Sequence, residues 1–304
     1  MENLLESKHT ASVIRYNLNL RVRITAYLKN SHLSKQIMIK LLAFLLITIL
    51  FSSCHSYTAI SSTCFDDVTN GNCTIIDLTY PLNKSNAYWP GPSYAPFKYK
   101  TVATIKDNGV FSGTYSTPEH LGTHIDAPNH FEDNQPSVDK LNLETLIGHA
   151  IVIDISGNVE NNADYELTVE DIFHWEEANG RIQDRSIILL NTGWWRRWND
   201  YDKYKNADDA NKFHFPGYSV EAAGFLVEKR NIHGIGIDTL SADYGISTDF
   251  AVHHIINSAG KYILENVANL DKLPPTGATL IVAPIKIEGG SGGQTRIWAI
   301  LPPH

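Results

Sequence analysis

Apolar runs bounded by turn-forming residues recur along the chain from residue 74 onward. Residues 151–155 and 187–190 are rich in Ile, Val and Leu, which predicts strands buried within a sheet. Together the predicted strands span residues 74–78, 99–105, 150–155, 186–191, 232–238, 278–287 and 296–301.

Two stretches between these strands predict amphipathic helices. Thr168 is a typical N-cap, because acidic residues follow it in the first turn. Ser219 precedes an apolar stretch that ends in Lys229 and Arg230, as basic residues favour the end of a helix. Residues 194–216, rich in Trp, Asp, Lys and Asn, predict a polar insertion or loop. Since strands outnumber helices and the two are interleaved, we predict one α/β domain with mixed sheets.

The N-terminal part of the chain has a different pattern. Residues 1–40 contain seven basic and two acidic residues, residues 41–51 form an uncharged apolar run, and small or polar residues follow. This order is typical of a secretory signal peptide, with Met38 as an alternative start. We therefore predict a basic lead and signal peptide over residues 1–56, and hence a secreted, secretory-pathway or periplasmic protein. An uncleaved membrane anchor and a buried helix are the alternatives.

Composition limits the remaining function classes. The 304 residues are 43% hydrophobic with a formal net charge of −8, which excludes a largely disordered chain and argues against a nucleic-acid partner. No apolar run reaches the roughly 18–20 residues of a membrane-spanning helix, so no stable span is expected. Three cysteines are too few for a disulfide scaffold, although Cys64 and Cys73 could pair in an oxidising compartment. We predict a short segment at residues 57–73 and a single domain over residues 74–304.

Residues 120–131, HLGTHIDAPNHF, concentrate His and Asp side chains at even spacing. Gly122 and Pro128 disfavour a helix here. In an extended chain every second side chain lies on the same face, so the residues at positions 120, 124, 126 and 130 would share one face. Imidazole nitrogen and carboxylate oxygen together suit Zn, Mn or Fe(II).

The spacing also sets a condition on the backbone. His124 and Asp126 would lie about 7 Å apart along a strand, close enough to converge on one ion. His120 would lie about 20 Å from Asp126 in a fully extended chain, too far to share a metal bonded at about 2 Å. The segment must therefore curve, and Gly122 permits the curve. Three protein ligands leave a position for water, as in catalytic sites, whereas the alternative is a polar turn whose histidines only form hydrogen bonds.

A second group of candidate ligands lies nearer the C-terminus. His253 and His254 are adjacent in an apolar stretch, and Glu265 follows in the run Tyr-Ile-Leu-Glu-Asn. Burying a carboxylate in such a run is unfavourable unless it is paired or bound to a metal. Glu265 could therefore be a metal ligand or one partner of a buried salt bridge.

The segment at residues 120–131 resembles the signature H-x-G-T-H-x-D-x-P-x-H-F of the cyclase family of metal-dependent hydrolases, which includes bacterial-type kynurenine formamidase and isatin hydrolase. The similarity covers residues 74–301. It implies an α/β chain with the family's swivelling β/β/α fold, and a homo-oligomer, either a dimer or a tetramer. It also implies that His120, His124 and Asp126 are metal ligands and that His130 is the proton donor and acceptor.

The resemblance implies further site residues. In the formamidases a later His and a Glu twelve residues beyond it complete a two-zinc site, and His253 and Glu265 match that spacing. Some isatin-hydrolase-like members use a single manganese instead, so the expected cofactor is two Zn ions or Mn. Trp89 matches the family's substrate-stacking tryptophan, with Phe131 and Trp194 as weaker candidates.

The activity implied by the resemblance is hydrolysis of a small aromatic amide. The arylformamidase reaction converts N-formylkynurenine to kynurenine and formate, and the alternative is an isatin hydrolase-like lactam hydrolase with a single Mn ion. The leader and the insertion at residues 194–216 depart from the formamidase pattern. A secreted binding protein without catalysis is a third hypothesis, which the presence of His130 disfavours.

Overall fold

The structure is a computed structural model that describes residues 64–91 and 94–302. The predicted lead and signal peptide over residues 1–56 lies outside these residues, so the export and the boundary at residue 57 stay predictions. The described residues belong to one unit, Cys64–His304. Among them, no helix combines the length and the apolarity needed to cross a membrane.

The elements alternate between strands and short helices. In the described part of the chain the strands are β1 (Ile75–Asp77), β2 (Lys98–Ala103), β3 (Ser112–Ser116), β4 (His124–Asp126), β5 (Ile147–Asp154), β6 (Glu166–Leu167), β7 (Ser186–Asn191), β8 (Gly217–Tyr218), β9 (Gly234–Ile237), β10 (Tyr262–Glu265), β11 (Ala278–Pro284) and β12 (Gly292–Ile300). The α-helices are α1 (Cys64–Thr69), α2 (Ile105–Asn108), α3 (Ser156–Val159), α4 (Val169–Asn179), α5 (Tyr201–Lys205), α6 (Val220–Arg230) and α7 (Ala251–Ser258). The 3-10 helices are η1 (Pro128–His130), η2 (Val138–Lys140), η3 (Leu143–Leu146), η4 (Trp194–Arg197) and η5 (Leu270–Lys272).

The main sheet closes into a ring of strands. Seven of its eight strands form the ring in the order β12, β11, β5, β7, β9, β10 and β4, and β4 pairs again with β12. The eighth strand, β1, pairs with residues 298–300 of β12. The pairs among β5, β7, β9 and β10 are parallel and the others are antiparallel, which makes the sheet mixed. The ring closes because residues 292–294 of β12 pair with β4 while residues 295–300 pair with β11. Closure removes the exposed edges that an open sheet would leave.

Alternate residues of the ring strands pack into two separate cores. In β5, Ile151 and Ile153 pack with apolar residues of α4, α6 and α7, whereas Val152 belongs to the second core, which is built from the other face of the ring. In β4, Ile125 belongs to this second core. Because neighbouring side chains of a strand point to opposite faces, His124 and Asp126 lie on the face that the helices cover.

The predicted α/β class with mixed sheets is confirmed. Ser186–Asn191 has the predicted bounds, and α4 begins directly after Thr168, whose side chain forms a capping box with Asp171. α6 begins directly after Ser219, which accepts a hydrogen bond from the backbone N–H of Ala222. β12 begins earlier than predicted, at Gly292, because glycine gives no apolar signal for a strand.

The prediction of a polar insertion or loop at residues 194–216 is only partly correct, because much of the segment is irregular but its aromatic residues are buried. The segment contains η4 and α5, and its residues Trp194, Tyr204 and Phe215 are fully buried. The indole N–H of Trp194 donates to the backbone carbonyl of Tyr204 at 2.6 Å. The polar residues of the segment lie mostly outward while its aromatic residues fill the core, so overall composition concealed an amphipathic arrangement. Trp194, a weaker candidate for substrate contact, is therefore a core residue.

Candidate metal centre and active-site cavity

Two neighbouring strands bring three candidate ligands to one face. His124 and Asp126 are alternate residues of β4, and Glu265 of β10 lies directly opposite His124. Directly paired residues of antiparallel strands point to the same side of the sheet. The Glu265 Oε2 atom accordingly lies 3.5 Å from His124 Nε2, and all three side chains are buried.

His120 reaches the same face through a tight turn. Gly122 adopts a φ of 66°, in the left-handed region that favours glycine. The turn places His120 Nδ1 2.5 Å from Asp126 Oδ1. The segment therefore curves at Gly122, as its spacing predicted. The extended conformation does not continue to His130, because Pro128–His130 forms η1.

The first histidine of the adjacent pair joins the ligand cluster. The Nε2 atom of His253, on α7, lies 3.2 Å from Glu265 Oε1 and 3.4 Å from Asp126 Oδ2. His254 is exposed and pairs instead with Glu132 at 2.8 Å. One residue along a helix turns the side chain by about 100°, which separates the two histidines.

The ring nitrogens that face away from the cluster have fixed partners. Asp243 contacts His253 Nδ1 at 2.6 Å and also accepts hydrogen bonds from the backbone N–H groups of Val252 and His253. His124 Nδ1 lies 2.8 Å from the carbonyl oxygen of Gly122. In both rings an outer acceptor holds the proton on Nδ1, which leaves the Nε2 lone pair directed at the cluster.

His120 is held through a serine. Its Nε2 atom lies 3.0 Å from Ser291 Oγ, and this hydroxyl donates to Glu119 Oε2 at 2.6 Å. Because the serine proton is directed to the glutamate, Ser291 accepts from the His120 Nε2–H. The Nδ1 atom of His120 then faces Asp126.

The arrangement fits metal ions. Two triplets of buried residues, His120–His124–Asp126 and Asp126–His253–Glu265, each bring their ligand atoms within 4.8 Å of one another, and they share Asp126. His124 Nε2 and Asp126 Oδ2 are buried without a hydrogen-bond partner among the described residues. Buried polar atoms are almost always paired, so these two atoms indicate a binding partner that is not a protein side chain. The nitrogen and oxygen donors suit Zn or Mn.

The electrostatics of the cluster also favour a cation. Burial alone would lower the pKa of His124, but the carboxylates of Asp126 and Glu265 outweigh it and raise the pKa to about 9. Burial raises the pKa of Glu265, and the charge of Asp126 raises it further. Two carboxylates held together away from water bind positive charge, either as protons or as a metal ion.

His130 lies beside the ligands and outside both triplets. Its ring stacks on His120 with the ring centroids 3.8 Å apart, and it lines the cavity described below. Burial, only partly opposed by the carboxylate of Asp126, lowers the pKa of His130 to about 3. His130 is therefore neutral at pH 7, with the weak basicity of an imidazole that is shielded from water.

A cavity of about 210 Å³ opens onto the cluster. Its walls include Trp89, Phe131 and Phe250, and both Trp89 and Phe131 lie 5.5 Å from Phe250 between ring centroids. Phe213 supports Trp89 from behind with an edge contact at 5.4 Å. Flat apolar walls beside a polar cluster are typical of a small-molecule site. The structure thus places Trp89, the candidate for substrate stacking, at this cavity.

The residues that hold the histidines in place were not predictable from the sequence. Asp243, Glu119 and Ser291 carry no local signal, because each meets its histidine only through tertiary contacts. Phe250 was also missed, although its position three residues before His253 places it near the same end of α7. A carboxylate close to a candidate ligand in the sequence is too common a pattern to identify such a residue.

Comparisons with known proteins agree with this geometry. The Cyclase family model, described as "Putative cyclase", matches residues 76–244. The chain belongs to the cyclase family. Isatin hydrolase of Roseibium aggregatum is 35% identical over 192 residues, which cover 60% of this chain and 72% of that protein. Kynurenine formamidase of Bacillus thuringiensis subsp. konkukian is 32% identical over 229 residues, which cover 75% of this chain and 97% of that protein.

Solved structures show the same relationship. Isatin hydrolase A from Ralstonia solanacearum matches with a TM-score of 0.76 and 33% identity, covering 81% of this chain and 99% of that structure. The predicted family, the cyclase family of metal-dependent hydrolases, and its fold are therefore confirmed. The family model ends before His253 and Glu265, so the second triplet rests on the geometry.

Proposed function

We propose that this protein hydrolyses a small aromatic amide, with N-formylkynurenine as the substrate and kynurenine and formate as products. The observation that carries the proposal is the pair of buried ligand triplets around Asp126, which opens onto an aromatic-walled cavity beside a neutral His130. Relatives named kynurenine formamidase and isatin hydrolase support the hydrolase class.

The residues present fit two divalent ions. His120, His124 and Asp126 would hold one, and Asp126, His253 and Glu265 would hold the other. We propose Zn at both positions, with Mn as the alternative ion. When bound, such an ion lowers the pKa of water and polarises a carbonyl, which supplies a nucleophile at neutral pH.

His130 is the proposed general base and acid. Its neutral imidazole accepts a proton from the attacking water and then returns the proton to the nitrogen of the leaving amine. The stacked contact with His120 fixes the plane of the His130 ring, so the ring is held beside the cluster before substrate arrives. Trp89, Phe131 and Phe250 would hold the aromatic ring and exclude water from it.

Lactam hydrolysis is the second candidate. It is favoured by the likeness to isatin hydrolases in both sequence and structure. In that reaction the same residues would open a ring rather than release formate, and a single Mn held by the first triplet would be enough. The two hypotheses differ at Glu265, which would bind a second ion in the formamidase and would bind no ion in a lactam hydrolase with a single Mn.

A substrate panel tests the proposal. Purified protein is loaded with Zn or with Mn, and turnover is measured on N-formylkynurenine, formanilide and isatin, with the bound metal counted in each preparation. We expect the formamides to be preferred with two ions bound. A preference for isatin with one ion bound would favour the lactam hydrolase, and full activity in chelator-treated, metal-free protein would exclude both hypotheses.

We also propose export and self-association. Export is supported by the basic residues 1–40 followed by the apolar residues 41–51. A dimer or tetramer is proposed from the family resemblance. Size-exclusion chromatography with light scattering measures the oligomeric state directly, and a monomer at assay concentration would refute the second proposal.

A further inference from the structure

Ser241 is a buried polar residue in the cavity that the reaction above does not use. It lines the cavity close to Glu265 and is 3% exposed. Its hydroxyl has no hydrogen-bond partner in the part of the chain that the structure describes. Since buried hydroxyls are almost always paired, a group that enters the cavity is the expected partner.

The backbone around Ser241 is fixed on both sides. The hydroxyl of Thr239 donates to the carbonyl of Ser241 at 2.7 Å, and the N–H of Ala242 donates to Glu265 Oε1 at 3.0 Å. Ser241 is therefore held one residue away from an amide that contacts the ligand cluster. A substrate whose reacting carbonyl lies at the cluster would bring its neighbouring atoms near this serine.

The adjacent polar residue of the cavity is already occupied. The side-chain amide of Asn266 donates to the carbonyl of Gly122 at 3.0 Å, and its oxygen accepts from the Tyr204 hydroxyl at 2.9 Å. The unpaired atoms of His124 and Asp126 face the proposed ions. Among the buried polar side chains that line the described cavity, Ser241 thus retains a free donor outside the ligand cluster.

The geometry points to Ser241 as a specificity-determining residue that donates a hydrogen bond to a second carbonyl of the substrate, next to the amide on the aromatic ring. This inference rests on the proposed function. A carbonyl conjugated with the ring lies in the ring plane, so it fits between the flat walls formed by Trp89, Phe131 and Phe250. With this hydrogen bond, an aryl amide that has an ortho carbonyl, as N-formylkynurenine has, should bind better than a simple anilide.

Two substrates that differ only in that carbonyl provide the test. Formanilide and N-(2-acetylphenyl)formamide are compared on wild-type protein, on Ser241→Ala and on the control Ser258→Ala, whose serine is exposed at the end of α7. Ser241→Ala should lower kcat/KM for the acetyl compound by about 3- to 10-fold through KM, because the hydrogen bond forms in both ground and transition states. Formanilide turnover by Ser241→Ala, and both activities of Ser258→Ala, should stay unchanged.

The outcomes separate this inference from the proposed function. Equal loss on both substrates would overturn the inference, because Ser241 would then act on the reacting group, on water or on the fold. No change on either substrate would also overturn it. If wild-type protein hydrolyses neither compound, the proposed function fails, and the inference is decided by calorimetric binding of the amines 2-acetylaniline and aniline. Ser241→Ala should weaken only the first by a similar factor, and unchanged binding would refute the role.

Discussion

Replacement of Asp243 tests whether the second ligand triplet is organised as the structure indicates. The carboxylate of Asp243 holds the outward nitrogen of His253 at 2.6 Å and accepts from two backbone N–H groups at the start of α7. Asp243→Ala removes all three contacts and leaves the ligand atoms themselves intact. Asp249→Ala is a matched control, because Asp249 is exposed and lies in the same connection.

The size of the effect follows from the contact with the imidazole. Leaving one buried donor unpaired costs about 1–3 kcal/mol, and the two backbone groups at the helix start regain part of their bonding from water. Without the carboxylate, the imidazole of His253 is no longer held in its orientation. The affinity for the ion held by the second triplet should therefore fall about 10- to 100-fold. The ion held by His120, His124 and Asp126 should be retained.

Metal titration followed by elemental analysis measures how many ions bind and how tightly. Wild-type protein should bind two equivalents of Zn, and Asp243→Ala should bind the first with unchanged affinity and the second weakly. The Asp249→Ala control should match wild-type protein. If Asp243→Ala keeps both ions at wild-type affinity while His253→Ala loses one, the Asp243 carboxylate has no part in holding the ligand.

Three further predictions use other parts of the chain. His130→Ala should keep its metal content yet lose turnover by about 10²- to 10⁴-fold, with a smaller loss on amides of better leaving groups; loss of the metal instead would reassign His130 as a ligand. Hydrogen bonding to Asp164 and then to Asp208 raises the pKa of His214. The His214 contribution to stability should therefore be full below pH about 6.5 and decline as pH rises through the raised value, so the Tm difference between wild type and His214→Gln should shrink between pH 6 and 8. A constant difference would contradict this. In mass spectrometry the mature protein should lack residues 1–56, whereas an intact N-terminus on membrane-bound protein would favour the uncleaved membrane anchor.

The local features of the site could be predicted from the sequence alone. The spacing of His120, His124 and Asp126, with Gly122 between them, required a curved extended segment, and the structure has a strand preceded by a left-handed glycine. Strand periodicity and helix capping are properties of neighbouring residues, so the pattern of side chains identifies them without knowledge of the rest of the chain. For the same reason the start of α4 after Thr168 was predictable.

Contacts between residues that are distant in sequence depended instead on the tertiary packing. The pairing of β4 with β10 places Glu265 opposite His124, and the packing of α7 selects His253 and excludes His254. Asp243 meets His253 only in the folded chain, and the proposed role of Ser241 depends on its position in the cavity. The same holds for residues 194–216, where burial of aromatic side chains against the core outweighed a polar composition. Contacts between residues far apart in sequence depend on which faces pack together, and that information is not contained in any short window of the chain.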